Sequence, residues 1–295
     1  MANKIEQIIS DKSRILNADD LMKEMRRIQQ ESYQKALDFY AEQLAKNEGK
    51  TLVQRGGNTA KNSALFEKKL FDYISKNKEY QSGIREYIRD FDQIDKLNKQ
   101  MHSTLNGLNI DKIIKIAGQA KGELTSKVAT GIVGEIHKNL TGEALRSQFT
   151  KQVQKVVFDN VLLGTPFSRA REILKDYIVG KKDSIGQLER WAGQITRDSI
   201  SQYDGQINAM VQEEYELNAY QYVGGIKTNS RPQCIRWKRK KILPIDELDK
   251  ELAWARSNGH GMIPGTTVSN FAVYRGGYNC RHQAYPIRIE ENASD

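Results

Sequence analysis

Cysteine, proline and long apolar runs are what this 295-residue sequence has least of. Its two cysteines exclude a multiply bridged disulfide scaffold and a four-cysteine zinc centre. No stretch approaches the roughly 18 consecutive apolar residues of a membrane-spanning helix. The opening Met1-Ala-Asn-Lys-Ile-Glu is too polar to resemble a signal peptide. The expectation is a chain with no membrane partner, made in a reducing cytosol where a disulfide is a poor basis for folding. Familiar catalytic patterns are missing too: no phosphate loop, no glycine-rich nucleotide fingerprint after a strand, no Gly-x-Ser-x-Gly, and no carboxylate cluster to hold magnesium. A Cys280/His282 or Cys280/His260 nucleophile pair has no obvious acid to orient it. The sequence therefore predicts a protein that is not an enzyme.

The five prolines are unevenly placed: none precedes Pro166, and Pro232, Pro244, Pro264 and Pro286 all follow residue 230. All three tryptophans, Trp191, Trp237 and Trp254, also fall late. A long proline-free stretch permits long helices, whereas a Pro/Gly/Trp/Cys-rich end reads as a turn-rich compact unit. The predicted fold is mainly α, with a helical arm or bundle over 1–160 and a small α+β module over 161–295. Apolar residues at three- and four-residue steps predict helices over Asp19–Asn47, Ser63–Ser75, Ile84–Leu105, and in pieces over Ile110–Asn160, with Thr141 as a cap. The segment Glu48–Asn62 reads as a polar loop. Helices Ser168–Val179 and Ile185–Leu217 follow, the second opened by Lys182-Asp-Ser184 and carrying a core stripe. Alternation then predicts strands at Ala219–Val223, Lys238–Leu243 and Gln283–Ile289, around a helix from Pro244 to Ala255. Glu290–Asp295 reads as a frayed acidic tail.

Both cysteines lie in the last seventy residues. Cys234 ends the turn Asn229-Ser-Arg-Pro-Gln-Cys234, and Cys280 stands in Tyr274-Arg-Gly-Gly-Tyr-Asn-Cys-Arg-His282. Cys234, His260, Cys280 and His282 offer two thiols and two imidazoles, a donor set suited to tetrahedral zinc. The one-residue gap between Cys280 and His282 is shorter than the two to four residues usual between zinc ligands. The alternatives are a disulfide between Cys234 and Cys280 formed outside the cell, or two buried free thiols, which is the plainest reading. Arg231, Arg275 and Arg281 flank the thiols. Together with Pro232, Gly276, Gly277 and Asn279 they suit an irregular loop tied together by guanidinium hydrogen bonds. Phosphate binding is the rival role, because Arg236, Trp237, Lys238, Arg239, Lys240 and Lys241 place five cations around one indole. The net charge of +9 is compatible with a nucleic-acid partner. A solvated hairpin with a half-buried tryptophan explains the same run.

The Asn-Ser-Arg-Pro-x-Cys turn, the Trp254-bearing helix, Gly261-Met-Ile-Pro-Gly-Thr-Thr267 and the terminal Arg-Gly-Gly-Tyr-Asn-Cys-Arg-His together resemble the phage Mu F-like head-morphogenesis, or minor capsid, proteins of tailed phages. The resemblance covers roughly residues 160–288 and is most specific over 219–286. It implies a structural protein present in several copies per virion, at the portal vertex or capsid interior, assembled in the host cytoplasm. Its implied partners are the portal protein or the major capsid protein, with packaged DNA as a further one. The rival from another class is a DNA-binding or metal-dependent DNA-cleaving protein delivered with the genome. Many members carry two closely set cysteines at the first motif and Cys-Arg-Cys at the second. Here each motif has one thiol, and His282 stands where the last cysteine would be.

Overall fold

A computed structural model describes residues 2–125, 128–181 and 184–290. Helix dominates, with small antiparallel sheets late in the chain, so the architecture is mainly α with a small α+β part. The helices in the first part are α1 (Ala2–Leu16), α2 (Asp19–Lys46), α3 (Leu52–Ser75), α4 (Lys78–Asn106), α5 (Asp111–Lys121) and α6 (Gly131–Thr141). A short α7 (Glu143–Leu145) passes through a π-helical turn, Arg146–Thr150, into α8 (Lys151–Leu163). Then come α9 (Phe167–Ile178), the two-residue strands β1 (Gly180–Lys181) and β2 (Ser184–Ile185), and α10 (Gln187–Glu214). The final part runs β3 (Ala219–Val223), α11 (Pro232–Lys240), β4 (Ile242–Pro244), α12 (Leu248–Asn258), α13 (Phe271–Tyr274) and β5 (Gln283–Ile287).

Several local expectations are corrected. The predicted loop 48–62 is helical from Leu52, because Thr51 and Gln54 form a reciprocal capping box that starts α3 ahead of Gly56 and Gly57. Thr141 does not cap the next helix: it ends α6, and its hydroxyl donates back to the His137 carbonyl at 2.7 Å. Of the predicted strand Lys238–Leu243, only Ile242 and Leu243 are extended, in β4, and the basic run 236–241 before them is not a strand. It lies mostly on α11, which Pro232 opens from the first helical position, where no amide donor is needed. Lys182 and Asp183, and the tail beyond Glu290, lie outside the described residues.

The chain divides into two compact units, and neither is one half of the sequence. One consists of Met1–Asn17, Arg89–Val133 and Thr196–Asp295; the other of Ala18–Ile88 and Gly134–Ile195. A boundary near residue 160 is therefore replaced by discontinuous units. Trp191 falls in the second unit, apart from Trp237 and Trp254.

The second unit is a helical assembly in which α3 packs on α8 and α2 on α9. Its buried residues include Met22, Met25, Ile28, Tyr40, Leu70, Ile74, Phe149, Val153, Val157 and Leu174.

The first unit holds a three-stranded antiparallel sheet in the order β4-β3-β5. Tyr220 lies opposite Leu243 on one side and Pro286 on the other, and Tyr222 lies opposite Ala284. Apolar residues cover both faces of β3. Tyr220 and Tyr222 pack with Trp237, Leu248, Leu252 and Phe271, while Val223 packs with Ile8 of α1, Met101 of α4 and Tyr285. Covering that second face is what brings α1 and the end of α4 into the unit of the C-terminal strands.

Candidate functional site

Cys234, Cys280 and His282 meet inside the first unit, all three buried. Cys234 reaches this point from the first turn of α11. Tyr222, on the central strand, points its hydroxyl at both sulfurs, 3.6 Å from Sγ of Cys234 and 3.7 Å from Sγ of Cys280. The two sulfurs lie 3.9 Å apart, and Nδ1 of His282 is 3.7 Å from Sγ of Cys280. The His282 ring stacks on Tyr222 with centroids 5.1 Å apart.

Cys280 arrives on a loop that doubles back on itself. Arg275, Gly277 and Asn279 all have positive φ (45°, 100° and 55°). The Gly277 amide donates to the Tyr274 carbonyl at 2.8 Å, and the Cys280 amide to the Gly277 carbonyl at 3.1 Å. Glycine is required at 276 for space: a Cβ there would fall 2.2 Å from Sγ of Cys234 and 3.1 Å from Sγ of Cys280. Arg231 fastens the loop, donating to the carbonyls of Gly276 and Tyr278. Gln233 donates to the carbonyls of Gly276 (3.2 Å) and His260 (2.8 Å). Buried Arg275 donates to the carbonyls of Ser201 and Ala272, both at 2.8 Å. The Asn279 amide is held by the Asp198 carboxylate at 2.7 Å. Arg231 and Arg275 thus tie loop backbone together, as charge-assisted donors do at high density of turns. Arg281 lies exposed.

Electrostatics separates the two thiols. A hydrogen bond from Cys234, then one from His282 and the positive charge of Arg275, lower the pKa of Cys280. The same Cys280 contact, together with burial, raises that of Cys234. Burial holds Tyr222 protonated. The pair is a free thiol pair, since 3.9 Å is far from the roughly 2.05 Å of a disulfide.

The donor set fits a soft or borderline metal. Donor atoms about 2.0–2.3 Å from a tetrahedral ion stand roughly 3.5 Å or somewhat more from one another, close to the 3.9 and 3.7 Å found here. Among the described residues, this is the one group of Cys, His, Asp or Glu side chains with metal-ligand spacing, and all its donor atoms lie within 4.8 Å of one another. His260 is not part of it: its side chain is exposed, and its carbonyl serves the Gln233 clamp. The four-ligand expectation is corrected to three, because the turn after α12 points His260 outward.

The basic run is also rearranged. Glu251 of α12, buried, accepts from Arg236 at 2.7 and 2.9 Å, from the Trp237 indole at 3.1 Å, and from Lys240 at 2.8 Å. The hydrogen bond from Arg236, followed by that from Lys240, holds the Glu251 carboxyl down to about 2. Arg236 also lies over the Trp254 ring, 4.6 Å from its centroid. Trp237 is fully buried and offers no face on which a base could stack. Of the six residues, Lys238 is partly exposed, and Arg239 and Lys241 are exposed without a role in this network.

Beside this site lies a polar chain that the sequence did not reveal. Lys12 of α1 is fully buried, paired with Asp204 of α10 at 2.5 Å and donating to Asn98 of α4 at 2.9 Å. Asn98 donates to the same Asp204 oxygen at 3.0 Å. His102 follows one helical turn on, 2.9 Å from Asn208, and its pKa is held down to about 4 by burial first and then by Lys12. A lysine at a buried helix position is invisible to apolar periodicity, since its partners are supplied by helices more than eighty residues away. Tyr222 and Gln233 were equally hidden, although strict alternation along β3 does place Tyr222 on the same face as Tyr220.

Compared with family models, curated proteins and solved structures, the chain matches none of them.

Proposed function

We propose that this protein is a structural minor head protein of a tailed phage that assists head assembly at or near the portal and inner capsid. The observation that carries the reading is convergence. Arg231, Cys234, Gly276, Cys280 and His282, which belong to the motifs that carry the resemblance, close on one buried centre through backbone clamps and tight turns. Such a centre stabilises an anchor module and leaves recognition to its surface. The portal protein and the major capsid protein are the proposed partners, and the virion the proposed location. Contact with packaged DNA is the second reading. It keeps Lys238, Arg239 and Lys241, whereas Arg236 and Lys240 are already paired with Glu251 and Glu247, and Trp237 is enclosed.

The test is genetic. Deleting the gene from the phage genome that carries it, with the chain supplied in trans as control, is expected to reduce DNA-filled heads while tails form normally. Filled heads in normal number without the chain contradict the reading. DNA contact is checked separately with the purified protein. Replacing Lys238, Arg239 and Lys241 by alanine lowers the salt slope of duplex binding by up to about three if those residues meet phosphates.

A further inference from the structure

We propose that Cys234, Cys280 and His282 bind one zinc-type divalent ion, as a three-donor clip between α11 and the loop leading into β5. The inference goes beyond head assembly and does not depend on it. Two thiolates and a neutral imidazole carry a charge of minus two, so a divalent ion leaves the site neutral. Neutrality is what a buried position demands, because an uncompensated charge there is costly. The donors come from segments separated by 46 residues in sequence (Cys234 and Cys280), and packing has already drawn them to ligand spacing. The backbone is shaped around them: Gly276 gives way to both sulfurs, and Arg231 and Gln233 each hold the Gly276 carbonyl. The Tyr222 hydroxyl, within 3.6 to 3.7 Å of the two sulfurs, serves as an outer hydrogen-bond donor to metal-bound thiolates, a role that orients ligands and tunes their basicity. Nδ1 is the His282 atom at ligand spacing, 3.7 Å from Sγ of Cys280, and binding through it leaves the ring proton on the buried Nε2. With three protein donors, the fourth position of a tetrahedral ion falls to water or another small ligand. Binding releases the thiol protons to solvent as the two sulfur–metal bonds form.

The full chain, purified under reducing conditions without chelator, is expected to contain about one zinc per molecule by elemental analysis. Cobalt(II) exchanged into the site is expected to give the near-ultraviolet charge-transfer absorption of thiolate ligands. Cys234→Ser and Cys280→Ser each lose the zinc, and His282→Gln weakens binding at least tenfold. His260→Gln keeps full occupancy. Because a cysteine variant can misfold, the wild-type chain supplies a second readout: removing the metal with a chelator lowers its Tm by about 5 °C or more, and added zinc restores it. Absence of stoichiometric metal, with two titratable thiols and a Tm indifferent to chelator and zinc, overturns the proposal. Loss of metal in His260→Gln overturns the three-donor assignment.

Discussion

The two units of this protein are stabilised by different means. The unit of α2, α3, α8 and α9 is a helical assembly whose stability is spread over many apolar contacts. Among its described residues, the most buried carboxylate, Glu67, is held by Thr150 at 2.6 Å and by Arg146, whose own side chain is 33% exposed. The unit containing the C-terminal strands gathers polar chemistry into centres of several side chains. Lys12 and Asp204 are sealed, Glu251 gathers three donor side chains, and the Cys/Cys/His centre closes a loop with three positive φ values. A periodic helical unit tolerates the loss of one contact. A unit built on a few buried polar centres has positions where one atom decides the outcome.

That contrast is sharpest at Lys12. Lys12→Met leaves Asp204 buried and without its cation, which is expected to cost about 3–5 kcal/mol in urea unfolding. The double change Lys12→Met with Asp204→Leu removes both charges and is expected to recover most of that loss. Equal losses in the single and double variants would mean that helix packing, not the ion pair, carries the effect. In the other unit, Glu67→Gln removes a buried charge that accepts from Arg146 and Thr150, so about 1.5–3 kcal/mol is expected there, well below the loss at Lys12.

Glu251→Gln is an effect of the same size. It removes the charge that Arg236 and Lys240 share, and about 1.5–3 kcal/mol is expected from hydrogen bonds to a charged group. Near-UV circular dichroism of the tryptophans checks whether the Trp237 environment loosens with it.

Acidification separates the two centres along the pH axis. His102 is neutral in the folded protein because its pKa lies at about 4 rather than 6.5. As pH falls below 6.5, the unfolded chain takes up that proton first, so stability declines between pH 6.5 and 4. The slope approaches about 1.4 kcal/mol per pH unit for one proton. Glu251 acts lower: its contribution is complete above pH 4.5 and is lost as pH falls toward 2. Urea unfolding across this range should show both segments, and His102→Gln should flatten the upper one alone. The smallest effect belongs to the helical unit's surface: Val53→Ser, at a position 84% exposed, should change stability by no more than about 0.5 kcal/mol.

What was legible in the sequence follows from the range of the interactions. Helices α2, α4 and α10 and the strand β3 announce themselves through local periodicity, and Tyr274–His282 through its composition. The start of α3 was hidden by glycines that a capping box outweighs, and α11 by cations that resemble a solvated strand. The division into units could not be read, because it depends on α1 and the end of α4 covering a face of β3 from the far end of the chain. For the site, Cys234, Cys280 and His282 were legible as a set, and His260 was wrongly added because residue type carries no direction. Tyr222, Gln233 and Glu251 were missed because their partners are set by tertiary packing rather than by spacing.

The central claim is that the Tyr274–His282 motif folds inward onto a buried thiol centre and is not a reactive or binding surface. Trapping of the native protein with a charged thiol reagent tests it directly. Cys234 and Cys280 are 3% and 7% exposed, so neither should react in the folded protein, and both should react once metal is chelated and the chain unfolded. A thiol that reacts at the rate of a free small-molecule thiol, while circular dichroism shows the fold intact, would contradict the account.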